Sequence, residues 1–260
     1  MVTSNEENSS RPGFGARMLS LLYGIATYTF FFITFLYLIG FVGNWVVPKS
    51  IDSGEPAASA ASAIAINVLL LALFAIQHTI MARPAFKQWW TRYVPSQVER
   101  STFVLFATAL LAFMAWQWRP LPGVVWQMER PVAVALLNGM SLAGWGIVLI
   151  STFLIDHFEL FGLRQTVFYA MGWSAEHPKF KERLFYRWVR HPLMLGFLIA
   201  FWVTPVMTQG HLLFAVVTTV YVLIGVKIEE HTLIFLHGER YEDYRQRVSM
   251  LFPLPRRRKK

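Results

Sequence analysis

"LSLLYGIATYTFFFITFLYLIGFVGNWVV", residues 19–47, contains no charged side chain. As a helix it would reach about 43 Å, beyond the ~30 Å hydrocarbon core of a bilayer. It is not alone. Residues 57–81, 102–118 and 132–155 have the same character, and two shorter runs, 192–207 and 212–226, flank the turn "TQGH". That last pair predicts a helical hairpin whose arms are short for upright spans. The chain is 55% hydrophobic with a mean hydropathy of +0.42, which together with these runs excludes an ordinary soluble domain. The fold class expected is an all-α integral membrane protein with about six membrane helices, including the short hairpin 192–226.

Basic residues set the orientation. Of the 24 Lys and Arg, 21 fall in alternate connecting segments and three in the others. The positive-inside rule therefore predicts cytoplasmic N and C termini in a multi-pass membrane protein. The net charge of +9 is largely this asymmetry plus the terminal "RRRKK". Such a cluster suits an anionic inner leaflet, at about 1 kcal/mol per basic residue. Membrane lipids are therefore the expected partner of the tail, and nucleic acid is not. The first apolar run is much longer than a signal-peptide core and no small-residue cleavage site follows it, so it reads as a retained span. Tryptophans at 45, 116, 118 and 126 fall near one boundary and those at 89, 90 and 188 near the other, the pattern of an interfacial belt.

Four regions follow. Residues 1–16 form a polar, disordered tail, and 17–155 hold four membrane helices. Residues 156–253 carry cofactor-binding loops, the hairpin and an interfacial helix, and 254–260 are the basic tail. The polar segments 156–191 and 227–260 are too short for a Rossmann unit, which needs ~30 residues or more for one βαβ alone. Any cofactor is thus expected at helix ends and loops on the cytoplasmic face. The chain has no cysteine, which excludes disulfides and protein thiolate chemistry.

The chemistry concentrates in a few places. In "RWVRHPLMLGF", 187–197, Pro192 suits a first helical position and His191 the cap before it, with Arg190 just outside. The free N–H groups of that helix start favour a carboxylate or phosphate, and Gly196 admits a ligand or a neighbouring helix. A plainly capped, arginine-anchored helix is the bland alternative. In "KIEEHTLIFLHGERYEDYRQRV", 227–248, Glu229 and Glu230 follow an apolar span, where carboxylates are expensive unless paired. Lys227 and His231 are their local counter-charges; a cationic or hydroxyl-rich ligand is the functional alternative. Tyr241 and Tyr244 share one face of a charged interfacial helix. "DHFELFGLRQTVFY", 156–169, is polar but lacks a metal-binding spacing such as HExxH, so no metal is expected. Gln77 and His78 sit inside the second apolar run, either as a mutually satisfied pair or as substrate contacts.

Taken together, "YRWVRHPLMLG", some thirty apolar residues, then "EEHTLIFLHGERYEDYRQRV" and "FP" resemble the isoprenylcysteine carboxyl methyltransferase-like superfamily of membrane enzymes. "QHTIMARP" at 77–84, "ERS" at 99–101 and "DHFELFGLRQ" at 156–165 extend the likeness toward the branch of bacterial methanethiol S-methyltransferases, with NnrU-like proteins as looser relatives. The resemblance implies an S-adenosyl-L-methionine-dependent transfer of a methyl group to a small-molecule thiol, giving dimethyl sulfide, in the bacterial inner membrane. It implies a cofactor site lined by Gln165, Pro178, Lys179, Phe180, Lys181, Tyr186, His191, Pro192 and Gly196. Glu229 would contact the cofactor and Glu230 support it. His78 and His191 are the candidates for assisting thiol deprotonation. Two departures favour a small thiol over a prenylcysteine. Met194 stands where the family often has tyrosine, and Gly225-Val226-Lys227 replaces the turn that carries a carboxylate-binding arginine. The remaining alternatives are a lipid acceptor or a non-catalytic membrane partner.

Overall fold

The computed structural model describes residues 13–173 and 184–253. Five helices are long and apolar enough to cross a membrane: α1 Phe14–Gly43, α2 Ala60–Met81, α4 Ser96–Gln117, α5 Pro131–Ile155 and α9 Gln209–His237. The shorter helices are α3 Pro84–Trp90, α6 His157–Leu160, α7 Leu163–Met171, α8 Pro192–Trp202 and α10 Glu239–Arg247. Residues β1 Val124–Gln127 and β2 Val206–Thr208 form a small antiparallel ribbon. The chain is therefore an all-α membrane protein. α1 begins at Phe14, so part of the expected tail, 14–16, is helical. Residues 1–12, like the basic residues 254–260, lie outside the described residues.

Local chemistry explains the helix limits. Asn44 adopts a left-handed conformation (φ 58°) and returns its N–H to the Gly40 carbonyl, closing α1. Ser59 and Ser62 exchange side-chain and backbone hydrogen bonds in a capping box that starts α2. Thr208 caps α9 through the His211 N–H. Pro131 and Pro192 open α5 and α8 at positions where a missing N–H costs nothing.

The hairpin departs from expectation. Its first arm, α8, has 11 residues, about 16 Å. Its second, α9, has 29 residues, about 43 Å, and continues through both glutamates to His237. Hydropathy falls at Lys227 but helix propensity does not, and only Gly238 (φ 54°) breaks the run. The two charges end the apolar stretch without ending the helix.

Topology defines two ends. The segment between α1 and α2 meets the start of α9, because Asp52 accepts the Thr208 hydroxyl hydrogen bond. The β1–β2 ribbon joins the segments before α5 and α9 at that same end. α2 and α9 therefore start together and run parallel. The opposite end gathers the close of α2, the start of α4, the close of α5, the start of α8 and the close of α9. Toward the first of these ends, Trp118, Phe41, Trp145, Phe201 and Phe214 form an aromatic core. Trp118 is fully buried and donates from Nε1 to Ile51 O at 3.0 Å, so it belongs to the core and not to the interfacial belt. Trp116, two residues earlier, is 68% exposed and fits the belt.

Gly196 and Gly144 place α8 against α5. A Cβ on Gly196 would lie 2.7 Å from Gly144 O and 2.9 Å from Val148 N, and one on Gly144 would lie 2.8 Å from Gly196 O. The helices approach this closely only because both side chains are missing. Ser141 adds a hydrogen bond to Ala200 O at 3.1 Å. This contact accounts for the absence of a side chain at Gly196 without a ligand.

Candidate functional site

The segment before α8 runs extended beside the residues that follow α10. Arg190 N donates to Ser249 O at 2.8 Å and His191 N to Met250 O at 3.1 Å. The Arg190 side chain turns inward, only 3% exposed, and its Nε donates to Glu230 Oε1 at 2.6 Å. Its Nη1 donates both to Arg245 O at 3.0 Å and to Val248 O. One guanidinium thus joins α8, α9 and the C-terminal segment, satisfying a buried carboxylate and two carbonyls. His191 Nε2 meets the same Glu230 oxygen at 3.1 Å, while its Nδ1 lies 3.6 Å from Glu229 Oε2. The partners of the paired glutamates are therefore Arg190 and His191, brought from the segment before α8, and not Lys227 and His231 from the adjoining turns.

The two glutamates differ. Glu230 has a side chain 11% exposed with two partners, whereas that of Glu229 is 51% exposed and, among the described residues, has only the long His191 contact. Glu230 is committed to holding the fold, and Glu229 is available to something else. Tyr186 lies in the 3₁₀ turn Leu184–Arg187, where burial and then the nearby Glu229 carboxylate push its phenol above the ordinary tyrosine range. Tyr244 donates its hydroxyl to Tyr186 O at 2.6 Å and so ties this turn to α10. Tyr241, also buried, is pushed up to about 12 by burial and then by Glu230. A groove of about 500 Å³, lined by Leu154, Leu184, Arg187 and Trp188, opens beside the turn.

Tyr186, His191, Pro192, Glu229 and Glu230 are thus one cluster. His191 occupies the N-cap position of α8, but its side chain makes no cap bond, since the ring is turned to the glutamates. The first-turn N–H groups stay uncapped by any side chain. Gln165 sits on α7, where its Nε2 donates to Glu159 O at 3.2 Å and its buried Oε1 has no partner. Pro178, Lys179, Phe180 and Lys181 lie outside the described residues.

His78 occupies a separate enclosure on α2, with its ring 5.3 Å from that of Phe74 and 5.0 Å from that of Phe103. The mutual Gln77–His78 pair does not form. Gln77 Nε2 donates to Met81 Sδ at 3.0 Å, and both Gln77 Oε1 and His78 Nδ1 are buried without partners. Successive helical residues point about 100° apart, so neighbours in sequence cannot serve each other here.

Most of the polar set at 156–165 is satisfied within the fold, Gln165 Oε1 excepted. Asp156 and Glu159 both bind Arg164, and Asp156 also caps α6. His157 is 4% exposed, with Nε2 2.8 Å from the Tyr28 hydroxyl and Nδ1 2.8 Å from Thr152 Oγ1. Thr152 spends its one proton on Leu149 O at 2.6 Å, so it accepts from Nδ1–H and Tyr28 donates to Nε2. Burial holds this imidazole below the ordinary histidine value, with Asp156 opposing.

Sequence reasoning missed Arg190 as the keystone and passed over Arg100. Both stand in motifs quoted above, but their partners are 40 and 60 residues away, and no local pattern announces them.

The chain is 54% identical over 237 residues to "Methanethiol S-methyltransferase 1" of Bradyrhizobium diazoefficiens, covering 91% of this chain and 83% of that protein. It is 49% identical over 241 residues to the "Methanethiol S-methyltransferase" of Mycobacterium tuberculosis, covering 93% and 98% respectively. A more distant likeness, 28% over 183 residues and 65% of this chain, is to "Nurim" of Bos taurus, of which it covers 68%. No family model and no solved structure matches the chain.

Proposed function

The chain belongs to the methanethiol S-methyltransferase family, and on that premise we propose that it methylates methanethiol to dimethyl sulfide with S-adenosyl-L-methionine as methyl donor. The observation that carries this reading is identity of about half the residues over nine-tenths of the chain to proteins of that name.

The residues present fit the donor. Glu229 offers a half-exposed carboxylate to an amino group or ribose hydroxyls, and the uncapped start of α8 offers N–H groups to a carboxylate. Gln165 adds a buried amide oxygen without a partner, and Tyr186 a buried phenol beside Glu229. Pro178–Lys181 complete the proposed lining. Pro192 fixes the helix start, and Glu230 supports the site through His191 and Arg190. When bound, the donor supplies a methyl group on a sulfonium, electrophilic and cationic. Glu229 favours that positive charge. His191 has both ring nitrogens turned to carboxylates, so its role is to orient Glu229. His78, with a free Nδ1, remains as the proton acceptor.

A small apolar thiol reaches such a site from the lipid, and a neutral thioether leaves the same way. The basic asymmetry supports cytoplasmic termini and a site on the cytoplasmic face of the bacterial inner membrane, with the "RRRKK" tail on anionic lipid.

The test supplies detergent-purified protein with methyl-labelled S-adenosylmethionine and methanethiol and assays headspace gas for labelled dimethyl sulfide. Label in the gas, lost in Glu229→Gln, is the expected result. Donor binding without a volatile product would overturn the acceptor and point to a larger thiol or lipid. Absence of binding by folded protein would overturn the donor.

A further inference from the structure

We propose that Arg100 and His78 together form the acceptor pocket, with Arg100 stabilising the thiolate and His78 Nδ1 taking the thiol proton. The inference rests on the thiol-methylation reading above and adds a residue and a place to it.

Arg100 stands near the start of α4. Its Nε donates to Leu160 O at 2.7 Å and its guanidinium lies 4.8 Å from the centre of the Phe103 ring. Phe103 is also the ring against which His78 packs, at 5.0 Å. Among the described residues no carboxylate stands within ion-pair distance of Arg100: Glu159 and Asp156 bind Arg164, and Glu99 and Glu159 act on Arg100 only from farther away. An arginine placed this way in a membrane helix bundle is a cation in need of an anion. His78, packed on the same Phe103 ring, has a buried Nδ1 with nothing to bond among the described residues, which costs about 1–3 kcal/mol unless a ligand meets it. An unpaired cation, an orphaned acceptor and aromatic walls are what a small thiol needs. The cation favours ionisation, the imidazole receives the proton, and the rings enclose the methyl group.

Charge separates this pocket from the donor site. A sulfonium would be repelled by Arg100 and attracted by Glu229. Phe74 on α2 and Tyr221 on α9 touch, with ring centres 6.0 Å apart. His78 is one turn beyond Phe74 and Glu229 two turns beyond Tyr221 on the parallel helix. At 1.5 Å per residue Glu229 therefore lies about 6 Å further along the bundle axis than His78. A cation-binding and an anion-binding position stacked at that spacing match the two reactants of an in-line transfer.

The balance is simple. The S–H bond breaks and its proton passes to His78 Nδ1. The freed sulfur pair forms the bond to the methyl carbon, and the pair of the old methyl–sulfonium bond stays on the donor sulfur. His78 then returns the proton to water, so one proton is released per turnover. The charged and titratable groups around His78 are Arg100 and Glu99 on α4, Lys87 on α3, Glu159 on α6 and Tyr221 on α9. Lys87 is held below its ordinary value by burial and then by Arg100, with Glu99 opposing.

The test uses full-length protein in lipid nanodiscs and compares Arg100→Gln, Arg100→Lys and His78→Gln with wild type. Two acceptors are assayed, methanethiol and the more acidic 2,2,2-trifluoroethanethiol. Donor affinity is measured by calorimetry, and ultraviolet difference absorbance reports bound thiolate without donor. Arg100→Gln is expected to keep donor affinity and lose at least about tenfold in kcat/KM for methanethiol, with a smaller loss for the acidic thiol. Its pH–rate profile should move to higher pH, its thiolate absorbance should vanish, and Arg100→Lys should recover part of each. Equal losses for both thiols, or a loss of donor affinity in step with rate, would make Arg100 structural and overturn the assignment. Wild-type protein that binds donor but methylates neither thiol would remove the thiol reading itself, and this pocket with it.

Discussion

Arg190 and Glu230, forty residues apart, form a buried ion pair at 2.6 Å that fixes the start of α8 to α9 two turns before that helix ends. The same guanidinium holds the carbonyls of Arg245 and Val248, so the C-terminal segment is closed over the site by a residue of the motif it covers. His191 shares the carboxylate oxygen and is thereby aimed at Glu229. Fold and site are joined at one carboxylate.

Removing either member should therefore be costly. Arg190→Ala leaves a buried carboxylate with only His191 and frees two carbonyls, a loss of about 3–5 kcal/mol. Arg190→Lys should rescue little, because an ammonium cannot span three acceptors in a plane. Thermal midpoints in detergent measure this; a midpoint for Arg190→Ala within a degree or two of wild type would sink the idea.

The paired glutamates should separate in opposite senses. Glu229→Gln is expected to weaken donor binding by about ten- to a hundredfold with little change in stability, as for loss of one charge-assisted contact. Glu230→Gln should lower the thermal midpoint and affect donor binding only through that loss. Calorimetry and thermal unfolding on the two variants decide it, and identical behaviour would contradict the division.

Acid should destabilise the protein through His157. In the unfolded chain histidine titrates near 6.5, and in the fold burial holds this one lower. Between the two values the unfolded state binds more protons, so its contribution is present above about pH 6.5 and lost as pH falls below it. His157→Gln should flatten the midpoint-versus-pH curve between about pH 7.5 and 5. An unchanged slope would assign the acid sensitivity elsewhere.

Gly196→Ala should cost about 1–3 kcal/mol, because its new methyl would meet α5 backbone at 2.7 Å. Gly146→Ala, on the same α5 helix but with nothing within 4 Å, is the control and should be neutral or slightly stabilising. Equal midpoints for the two variants would show that α5 and α8 yield more readily than their contact implies.

Apolar run length alone gave α1, α2, α4 and α5 nearly to their ends, and the His-Pro pair gave the start of α8. It failed at α9, where two glutamates lower hydropathy yet leave the helix intact because their charge is met by α8. It also put Trp118 at the interface, since hydropathy places a residue along the span but not around it. In the site, the sequence brought forward His191, Glu229 and Glu230 by type and position. It offered Lys227 and His231 as their partners, because adjacent residues are all that a linear pattern can pair.

The sequence by itself determined that this chain enters a membrane as helices, where its polar motifs stand, and which family they mark. Those are sums over neighbouring residues, and transfer free energy from water to lipid is set residue by residue. Only the tertiary structure decided that Arg190 belongs to Glu230, that Tyr28 answers His157 from 129 residues away, and that Arg100 and His78 pack against the same Phe103 ring. Those pairings depend on which helix faces meet, and that was settled by close contacts such as Gly144 on Gly196, where the absence of two side chains fixes the rotation of α8 against α5.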